Sequence, residues 1–461
     1  MSKKQKTIEE LIEEVLVVEE EQPYEVPGNW VWTNIDTITK EIKNGTTTKQ
    51  NKDGLGVKVT RIESVQNNEI DLNRIGYIEK INSIKETDYY QSGDIVLSHI
   101  NSIEHVGKTA LIEEDLLPLV HGMNLLRIRL FNEKLFPLYV QYYMRSYQFK
   151  KDIRDRVNRS VNQVSLNQKN LKEVLIPVAP LNEQKRIAEK VERLFNKIEE
   201  AIQLIEEAQG KILLEKAIYY KNTLAGKYLN KNERWKVLKI EELIMPTRKS
   251  MTTGPFGTAL KKMDYVAEGI PVLGIDSINN GEFIYKNKNF ITEDKLKELT
   301  SFLVQEDDII ISRSGTVGEL CIVPEKIIPA IISTNIIKLT LNKEIILPQF
   351  FVYMFLVEGT VKEQIRNLCK GSTREFLNQT ILKSIEFPVP PIAEQEIIIE
   401  KMKKAINRFN IMEEFTDEKS LVFDKLKSNI LTKAFKGELG TSDPNDESAI
   451  ELLKSVLQEK L

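Results

Sequence analysis

The sequence predicts an α+β protein in which two similar strand-rich domains are separated by two long antiparallel helices that form a coiled-coil-like rod. Two observations predict this architecture. The chain contains a pseudo-twofold internal repeat with an offset of about 211 residues, and each copy ends in a segment with heptad spacing of apolar residues. At 461 residues the chain is also too long for one hydrophobic core, so division into domains is expected.

The repeat is clearest at the end of each strand-rich region. Residues 171–184 read LKEVLIPVAPLNEQ, and residues 382–395 read LKSIEFPVPPIAEQ. Upstream, further matches follow in the same order, with the offset drifting by a few residues as loop insertions would produce: GDIVLS with DDIIIS, NLLRIRL with NIIKLTL, and NWVWTNID with RWKVLKIE. Because so many matches keep one order, chance is a poor explanation, and the period is too long for a solenoid.

Within each copy, short β-branched runs lie between Gly, Asn and Asp clusters, which predicts strands and turns. These runs are VKVTRI, GDIVLS and NLLRIRL in the first copy, and PVLGI, DDIIISR and NIIKLTL in the second. The segments PLYVQYYMRSYQFKKDI and PQFFVYMFLVEGTVKEQI have helical spacing. We therefore predict the following segments: an N-terminal amphipathic helical segment at 1–22, a first domain at 23–180, a central helical spacer at 181–230, a second domain at 231–391, a C-terminal helical spacer at 392–440 and a helical tail at 441–461.

The spacers are predicted to be helices because their apolar residues recur at alternating steps of four and three. The first seam comprises Ile187, Val191, Leu194, Ile198, Ala201, Ile205, Ala208 and Ile212. The second comprises Ile398, Met402, Ala405, Phe409 and Met412, after which polar Thr416 and Lys419 interrupt it. Gly210 is a candidate interruption of the first helix. The simplest arrangement pairs the two helices, although their outward faces remain available to other subunits.

Composition narrows the class of protein. No stretch approaches the length of uncharged apolar sequence that a membrane span needs, and glutamates interrupt the apolar positions of the N-terminal 22 residues, unlike a secretory signal. Cys321 and Cys369 are the only cysteines, too few for a disulfide framework or a thiolate metal cluster, so a cytoplasmic location is expected. A net charge of −3 neither favours nor opposes nucleic-acid binding, which depends on local positive potential.

Catalytic motifs are not recognisable. Residues 107–109 read GKT, but Ser102 stands where a phosphate-binding loop requires its first glycine. The three histidines, His99, His105 and His121, all lie in the first copy, and the second copy has no histidine. Since a catalytic role would not survive this asymmetry, structural or surface roles are expected for them, and neither a catalytic residue nor a metal site is predicted.

Two repeated regions have the composition of a DNA-binding surface. Residues 147–172 are rich in Lys and Arg and in Asn, Gln and Ser, which bind phosphates and base edges. The second region is a Gly- and Thr-rich loop near each domain start, at 44–54 and 251–262. The predicted DNA-binding residues are Thr46, Thr47, Thr48, Lys49, Lys151, Arg154, Arg156, Arg159, Asn162 and Gln163 in the first copy, and Lys261, Arg313, Ser314, Lys370, Ser372, Thr373 and Arg374 in the second.

These features resemble the specificity subunit of Type I restriction-modification systems along nearly the whole chain. The family signature P-x-P-P-x-x-E-Q corresponds to PVAPLNEQKRI at 177–187 and PVPPIAEQEII at 388–398, with Ala179 in place of one proline. The domain-opening P-x-x-W-x-W corresponds to YEVPGNWVW, and ERWKV is a reduced second copy. In the loop after the DDIIIS strand the copies differ: SHINSIEHVGK in the first corresponds to SRSGTVG in the second.

The resemblance implies two target recognition domains that each read half of a bipartite double-stranded DNA site. The helices would set the spacing between the half-sites and dock two methylation subunits, and restriction subunits with translocase activity would join the complex. The chain itself would be non-catalytic and hold no cofactor, because S-adenosylmethionine, ATP and Mg²⁺ would bind to the partner subunits. Two alternatives remain open at this point: the recognition subunit of a Type IIB-like enzyme, and a scaffold that binds proteins and not DNA.

Overall fold

A computed structural model of the chain divides into two compact units, which are described separately. Unit 1 comprises Met1–Leu204 with Glu418–Leu461, and unit 2 comprises Ile205–Asp417. The structure describes residues 6–131, 134–160, 163–229, 235–247, 249–257, 259–286, 288–357, 359–369, 377–417 and 419–461. Each unit takes in a strand-rich domain and the adjoining part of the helices, so the boundaries at 180/181 and 391/392 stay predictions.

Unit 1 is organised around a four-stranded antiparallel sheet of order β2-β10-β7-β9. A three-stranded sheet, β11-β12-β8, and the pairs β1-β13, β3-β6 and β4-β5 surround it. The strands are β1 Val31–Asn34, β2 Thr39–Asn44, β3 Val57–Val59, β4 Val65–Gln66, β5 Glu69–Ile70, β6 Gly76–Ile78, β7 Ile95–Ser98, β8 Ile100–Asn101, β9 Thr109–Leu111, β10 Leu125–Leu130, β11 Asn158–Ser160, β12 Gln163–Ser165 and β13 Leu175–Val178.

Unit 2 repeats this plan, with a four-stranded antiparallel sheet of order β15-β23-β20-β21 and the equivalent edge pair β14-β24. Its remaining sheets are β19-β16-β22, in which β16 and β22 are parallel, and β17-β18. The strands are β14 Lys236–Lys239, β15 Met251–Thr253, β16 Ile270–Leu273, β17 Ile278–Asn279, β18 Glu282–Phe283, β19 Phe290–Ile291, β20 Ile309–Ser312, β21 Leu320–Ile322, β22 Ile331–Ile332, β23 Ile336–Leu339 and β24 Glu386–Val389. The predicted fold class and internal repeat are confirmed.

The helices flank these sheets and lengthen toward the end of each domain. They are α1 Ile8–Val15, α2 Ile35–Ile38, α3 Pro137–Arg145, α4 Tyr147–Arg156, α5 Gln168–Lys172, α6 Leu181–Leu224, α7 Ile240–Leu243, α8 Glu293–Glu298, α9 Pro348–Leu356, α10 Thr360–Cys369, α11 Gln379–Ser384, α12 Ile392–Asp417, α13 Lys419–Phe435 and α14 Ala449–Lys460. None of the helices in the described ranges combines the length and apolarity needed to cross a bilayer.

Each of the two segments that the sequence predicts to be helical upstream of the spacers forms two consecutive helices, α3 and α4 in the first copy and α9 and α10 in the second. In the first copy the break falls at Ser146, whose extended backbone ends α3 and whose hydroxyl accepts a hydrogen bond from the Phe149 N–H at the start of α4. Serine caps a helix well because its side chain satisfies an otherwise unpaired N–H. In the second copy α9 ends at Leu356 and α10 begins at Thr360. The apolar spacing thus continues across a cap that interrupts the helix.

Helix α6 is continuous over 44 residues, about 66 Å, and begins in one unit and ends in the other. Gly210 does not interrupt it, although it was a candidate break. The position is exposed and a Cβ there would meet no neighbouring atom, so no contact forces the backbone out of helical geometry. A single glycine costs a helix about 1 kcal/mol relative to alanine, which a helix of this length tolerates.

In unit 1 the first part of α6 packs against the chain segment that follows residue 418. Ile187 and Val191 are fully buried, Ile198 is buried and Leu194 is half-buried in the main core. The Lys427 ammonium lies 2.5 Å from a Glu199 carboxylate oxygen. Arg186, near the start of α6, instead pairs with the later residue Asp446. Since early residues of α6 meet late residues of the partner segment, the two run antiparallel.

In unit 2 the second part of α6 packs against α12. Ile212, Ala405 and Phe409 form a buried cluster with Tyr219, Tyr220 and Met412. Ile398 and Met402 are fully buried in the main core of this unit, whereas Ile205 is only half-buried. The Lys216 ammonium bonds both Glu413 carboxylate oxygens at 2.9 Å. The heptad seams are therefore packing surfaces within each unit.

A tryptophan–glutamate hydrogen bond, buried in unit 1 and half-buried in unit 2, joins each strand-rich domain to the long helix that follows it. The indole N–H of Trp30 donates to Glu183 Oε2 at 2.8 Å, and the indole N–H of Trp235 donates to Glu394 Oε2 at 2.8 Å. Glu183 also accepts from the Thr441 hydroxyl at 3.2 Å. The glutamates lie in the first turns of α6 and α12, where a carboxyl group also interacts favourably with the helix dipole.

The glutamine after each glutamate ties three segments together. Gln184 accepts from the Phe136 N–H at 2.9 Å and donates to the Ala179 carbonyl at 2.7 Å. Gln395 accepts from the Leu347 N–H at 2.8 Å and donates to the carbonyls of Ile345 and Pro390 at 2.9 Å. Each glutamine therefore satisfies the N-cap residue of α3 or α9 and the chain entering α6 or α12. Both glutamines are fully buried, where an unpaired amide would be costly.

The C-terminal end of a long helix also completes each unit in the same way. Helices α6 and α13 end before Gly226 and Gly437, which have φ values of 67° and 73°. The Lys190 ammonium donates to the Leu439 carbonyl at 2.5 Å in unit 1, and the Lys401 ammonium donates to the Tyr228 carbonyl at 3.0 Å in unit 2. These lysines and carbonyls are 211 residues apart, so the repeat extends through the helix ends.

The terminal segments form a further layer that is specific to unit 1. The helix predicted in the first 22 residues begins with a capping box between Thr7 and Glu10 and ends at Val15. A 3-10 turn follows at Glu19–Glu21. The predicted C-terminal helix forms as α14 and packs against α1. The Ala449 N–H donates to the Asn29 carbonyl at 3.0 Å, which ties the tail to the start of the first domain.

The histidines have the structural or surface positions that the sequence indicates. His121 is buried and its Nε2 lies 3.0 Å from the Leu125 carbonyl oxygen, so this nitrogen is the donor. The pKa of His121 is lowered to about 3, first by burial and then by the charges of Arg127 and Lys43, against the opposing effects of the Leu125 bond and Asp88. Desolvation also lowers the pKa of His99, whose Nδ1 lies 3.2 Å from the Leu166 carbonyl oxygen.

We predict that replacing Gln395 with Leu lowers the free energy of unfolding of unit 2 by about 3 kcal/mol. The substitution keeps the volume but leaves a buried N–H and two carbonyls without their partner, and each such group costs about 1–3 kcal/mol. Urea unfolding of the full chain measures the change. Glu396→Leu, at the exposed neighbouring position, is the control, and equal midpoints for the two variants would contradict the assigned role.

We also predict that His121 makes the protein less stable in acid. The unfolded chain takes up a proton at this residue near pH 6.5, whereas the folded chain does so only near pH 3, so protonation favours unfolding between these values. The stability present above pH 6.5 is lost as pH falls, by at most about 1.4 kcal/mol per pH unit from this group. The free energy of unfolding of the His121→Gln variant, measured by urea unfolding at pH 7, 5.5 and 4.5, should fall less steeply with decreasing pH than that of the unaltered chain. An equal fall in both proteins would refute the assignment.

Candidate DNA interface

Helix α4 carries the basic segment predicted at 147–172. Phe149 and Ile153 are fully buried, and their four-residue spacing fixes the face that packs on the domain. Lys150, Lys151 and Arg154 are consequently exposed on the rest of the helix surface. Lys151 and Arg154 form no ion pair with any residue in the described part of the chain, which leaves their charges available to phosphates.

Arg156, another predicted contact, is engaged within the protein. Its Nε donates to Asp152 at 3.0 Å, and its guanidinium also bonds Glu173 at 3.3 Å. Asp152 in turn accepts from the Leu175 N–H at 3.4 Å, which links the end of α4 to β13. Arg156 therefore stabilises the position of α4, and the local charge that it contributes is partly neutralised.

A two-stranded hairpin follows α4 and presents the next predicted contacts. In β11 and β12, Arg159 lies opposite Val164 and Ser160 lies opposite Gln163. Val164 is buried and also pairs with Asn101 of β8, so it anchors the hairpin to the domain. Arg159, Ser160 and Gln163 are exposed. Asn162, predicted with them, lies outside the described residues.

Helix α10 repeats the basic face of α4 in unit 2. Val361 and Ile365 are buried at the same four-residue spacing. Lys362 and Arg366 directly follow them in sequence, as the lysine and arginine of α4 follow its two buried residues. The predicted contacts that follow α10, namely Lys370, Ser372, Thr373 and Arg374, lie outside the described residues. The repeat of a Lys and Arg pair beside a buried pair supports a common function for α4 and α10.

The Thr-rich loop of unit 1 is held by contacts with the chain around Gly122. The Thr46 N–H donates to the His121 carbonyl at 2.9 Å, and the hydroxyls of Thr46 and Thr48 lie 3.0 Å apart. A Cβ at Gly45 would lie 1.8 Å from the Gly122 carbonyl oxygen, so only glycine fits. The remaining predicted contacts of this loop, Thr47 and Lys49, are exposed.

The equivalent loop of unit 2 presents an aromatic side chain that the sequence analysis did not select. Phe256 is 57% exposed, and the Arg313 guanidinium carbon lies 5.0 Å from the centre of its ring. Arg313 is 7% exposed and bonds the Thr334 carbonyl at 3.4 Å, and desolvation lowers the pKa of this arginine. The buried Arg313 guanidinium therefore packs against the Phe256 ring and helps to hold it in its exposed position. Lys261 is exposed, and Ser314 is half-buried beside the arginine.

A buried ion pair holds the central sheet beneath each of these surfaces. Asp94 accepts two hydrogen bonds from Arg129, at 2.7 and 2.6 Å, and lies 3.9 Å from Arg127. In unit 2, Asp308 accepts from the Thr340 hydroxyl at 2.6 Å and lies 3.6 Å from the Lys338 ammonium. Burial raises the pKa of Asp308, and its hydrogen bonds and the lysine oppose that shift. The cationic residues of this core are therefore structural.

Among the described residues, no group of three or more His, Cys, Asp and Glu side chains is placed to hold a metal ion. What the two units do share is a set of exposed donors on repeated elements. The arrangement suits phosphate binding by Lys and Arg and base contacts by Arg, Gln and aromatic side chains.

The chain matches the model for the Type I restriction modification DNA specificity domain twice, at residues 27–208 and 232–418. It is 32% identical over 422 residues to the putative type I restriction enzyme MjaX specificity subunit of Methanocaldococcus jannaschii, covering 90% of this chain and 95% of that protein. It is 23% identical over 432 residues to the type I restriction enzyme StySPI specificity subunit of Salmonella potsdam, covering 90% of both chains.

Two solved structures share the fold. One, from a study of complex assembly and conformational transition of the type I R-M system, aligns with a TM-score of 0.68 at 18% identity and covers 90% of this chain and 100% of that chain. The other, the HsdS subunit from Thermoanaerobacter tengcongensis, aligns with a TM-score of 0.61 at 18% identity and covers 91% of this chain and 100% of its own.

Proposed function

Because the chain belongs to the Type I restriction-modification DNA specificity family, we propose that each of its two units reads one half of a bipartite double-stranded DNA target. The chain is the DNA sequence specificity subunit of such a system. The observation that carries the proposal is the repeat of a basic helix, α4 and α10, on two copies of one sheet. A target in two halves follows from two readers in one chain.

Within each unit we assign different tasks to the exposed groups. Lys151 and Arg154 of α4 contact phosphates, since they are exposed and form no ion pairs with described residues. Arg159 and Gln163 of the hairpin contact bases or adjacent phosphates, because a two-stranded ribbon fits the major groove. In unit 2, Phe256 contributes apolar contact to a base or sugar.

We further propose that two methylation subunits dock on the long helices and that restriction subunits with translocase activity complete the complex. Helix α6 leaves large apolar side chains exposed in unit 2, at Leu213, Leu214 and Ile218, each more than half exposed. Exposed apolar groups of this kind favour a protein partner. S-adenosylmethionine, ATP and Mg²⁺ then bind to the partner subunits, and the complex acts in the cytoplasm on cellular DNA.

Gel-shift assays with purified chain, with and without its methylation partner, test the proposal. The expected result is a DNA shift that depends on one bipartite sequence, which methylome sequencing of the host identifies. A shift that is the same on all sequences, or none in either mixture, would refute it. The relatives are named for type I enzymes, so the Type IIB-like and scaffold alternatives are not favoured.

We predict that Arg159→Ala weakens DNA binding about tenfold and leaves assembly with the methylation subunits intact. Its side chain is exposed on β11 and holds no buried contact, so the loss falls on DNA contacts, worth about 1–3 kcal/mol for a specific base contact. The same direction is predicted for Arg374→Ala. Binding is measured by gel shift and assembly by size-exclusion chromatography.

Lys80→Ala, an exposed lysine of unit 1 outside both predicted regions, is the control for Arg159→Ala. Its DNA affinity should stay close to that of the unaltered chain. Loss of assembly in a normally folded Arg159 variant would contradict the surface assignment.

We predict that shortening the helical spacer changes the spacing accepted between the half-sites. Removing seven residues of α6 between Ile198 and Ile212, with seven from the antiparallel partner segment, preserves the heptad seam. Seven residues are about 10 Å of helix, or roughly three base pairs. Targets with every spacer length are compared by gel shift, and an unchanged preference would reject the idea that the helices set the spacing.

A further inference from the structure

Unit 1 contains a small cavity between helix α4, the β4–β5 turn and the loop that precedes β9. Its volume is about 260 Å³. Four of its lining side chains are cations, namely Lys108, Arg145, Lys150 and Arg154, and Glu104 is its one acidic lining residue. Asn67 and Asn68 of the turn also line it and add neutral hydrogen-bonding groups. We call this feature the cation pocket.

The four cations of the cation pocket are not neutralised by ion pairs. None of them forms a salt bridge or a side-chain hydrogen bond with a residue in the described ranges. Arg145 is instead fixed by two rings: its guanidinium carbon lies 5.1 Å from the centre of Tyr142 and 5.0 Å from that of Phe195. This stacking leaves the N–H groups of the guanidinium free to donate to a ligand.

Burial of two of these cations, Arg145 and Lys150, is unfavourable without an anion. Desolvation lowers the pKa of Arg145, although Tyr142 and the carboxylates of Glu69 and Glu199 oppose the shift. Desolvation also lowers the pKa of Lys150, and the charges of Arg145 and Arg154 lower it further, with Asp424 opposing them. Burial is the first cause of both shifts, and for Lys150 the neighbouring cations add to it, so the charged forms of both side chains are disfavoured without an anionic partner.

The fold does not require these four cations, because unit 2 has other residues at the positions of two of them. Helices α3 and α9 both span nine residues from a proline, and their last residues are Arg145 and Leu356. Lys108 and Glu319 are also equivalent, since their carbonyls accept from the N–H groups of Ser98 and Ser312, both at 2.8 Å. An arginine and a lysine in unit 1 thus correspond to a leucine and a glutamate in unit 2.

The space itself also differs between the units. Gly281 of unit 2 occupies the position of Asn68 in the β17–β18 turn, and a Cβ there would lie 2.5 Å from Leu356 Cδ1. The leucine therefore packs directly against this turn. In unit 1 the asparagine and Arg145 line open space at the same place. A cavity with unpaired cations is thus a property of unit 1 and not of the repeated fold.

We propose that the cation pocket binds one phosphate group, and that its source is a phosphodiester of the DNA backbone in the half-site read by unit 1. This inference rests on the proposed function. Lys108 and Arg145 supply the inner donors, and Lys150 and Arg154 supply the outer ones. Arg154 lines the pocket and is also one of the predicted DNA contacts, so a phosphate bound there is continuous with the predicted DNA surface. Unit 2 makes no equivalent contact.

The test exchanges the distinguishing residues for those of unit 2, Arg145→Leu and Lys108→Glu, in the complex with methylation subunits. Lys80→Glu is the matched control for charge, because this lysine is exposed in unit 1 and does not line the pocket. DNA affinity is measured against salt concentration. The expected result is a tenfold loss of affinity and a decrease of about 0.9 in the slope of log affinity against log salt, the value for one phosphate.

DNA with a single neutral methylphosphonate, placed in turn at each backbone position, locates the contact. A methylphosphonate at one position in one half-site should lower the DNA affinity of the unaltered complex about tenfold. The same substitution should have no effect on the DNA affinity of the Arg145→Leu complex. Absence of such a position, or a salt slope that falls equally in the Lys80→Glu control, would overturn the proposal. Urea unfolding and assembly with the methylation subunits establish that the variants are folded.

Calorimetric titration with inorganic phosphate distinguishes a free ligand from DNA. No saturable binding is expected at millimolar phosphate. Saturable binding that Arg145→Leu abolishes, together with an unchanged DNA salt slope, would assign the pocket to a free phosphate compound and overturn the DNA source. A lack of sequence-dependent binding by the unaltered complex would instead refute the proposed function, so the two failures are distinguishable.

Discussion

The hydrogen bond from a tryptophan indole to a glutamate in the first turn of a long helix is the constraint on which each unit depends. Trp30 with Glu183 and Trp235 with Glu394 join the first strand of a domain to the helix that leaves it, both at 2.8 Å. The adjacent glutamine caps α3 or α9 from the same helical turn. One Glu-Gln dipeptide thus forms hydrogen bonds with the indole, with the N-cap residue of α3 or α9 and with the segment that enters the long helix. The domain and the long helix therefore share a single hydrogen-bonded junction. The Glu-Gln of the family signature is therefore explained by these internal hydrogen bonds.

Much of the fold could be predicted from the sequence because the internal repeat presents the same pattern of strands and helices two times. The strands and the antiparallel seams follow from β-branched runs and heptad spacing, which local sequence encodes directly. The site was less predictable, since it depends on which cations find partners. Arg156 is held by Asp152, and Arg313 is buried beneath Phe256, yet in sequence both look like exposed cations in polar loops. Gly254 and Gly257, which flank the Pro255-Phe256 pair, were the available signal for an exposed aromatic residue.

The two units combine a common interior with different surfaces. The paired Asp of the central sheet recurs with Arg127 in one unit and Lys338 in the other, so the interior tolerates either cation. On the surface, the exchange of Arg145 for Leu356 changes a charged cavity into an apolar contact without altering the length of the helix. Duplication has therefore preserved the packing that positions α4 and α10, while the residues at the ends of α3 and α9 have diverged.

The closure of each unit by the end of a long helix bears on the order in which the chain can fold during synthesis. Unit 2 is one continuous stretch, Ile205–Asp417, and α6, which closes it, precedes its sheets. Unit 1 is closed by α13, where Phe435 packs in the core against Tyr139 and Tyr143. The domain that leaves the ribosome first must therefore wait, with part of its apolar core unfilled, until some 200 further residues have been translated. Vectorial synthesis completes the second copy before the first.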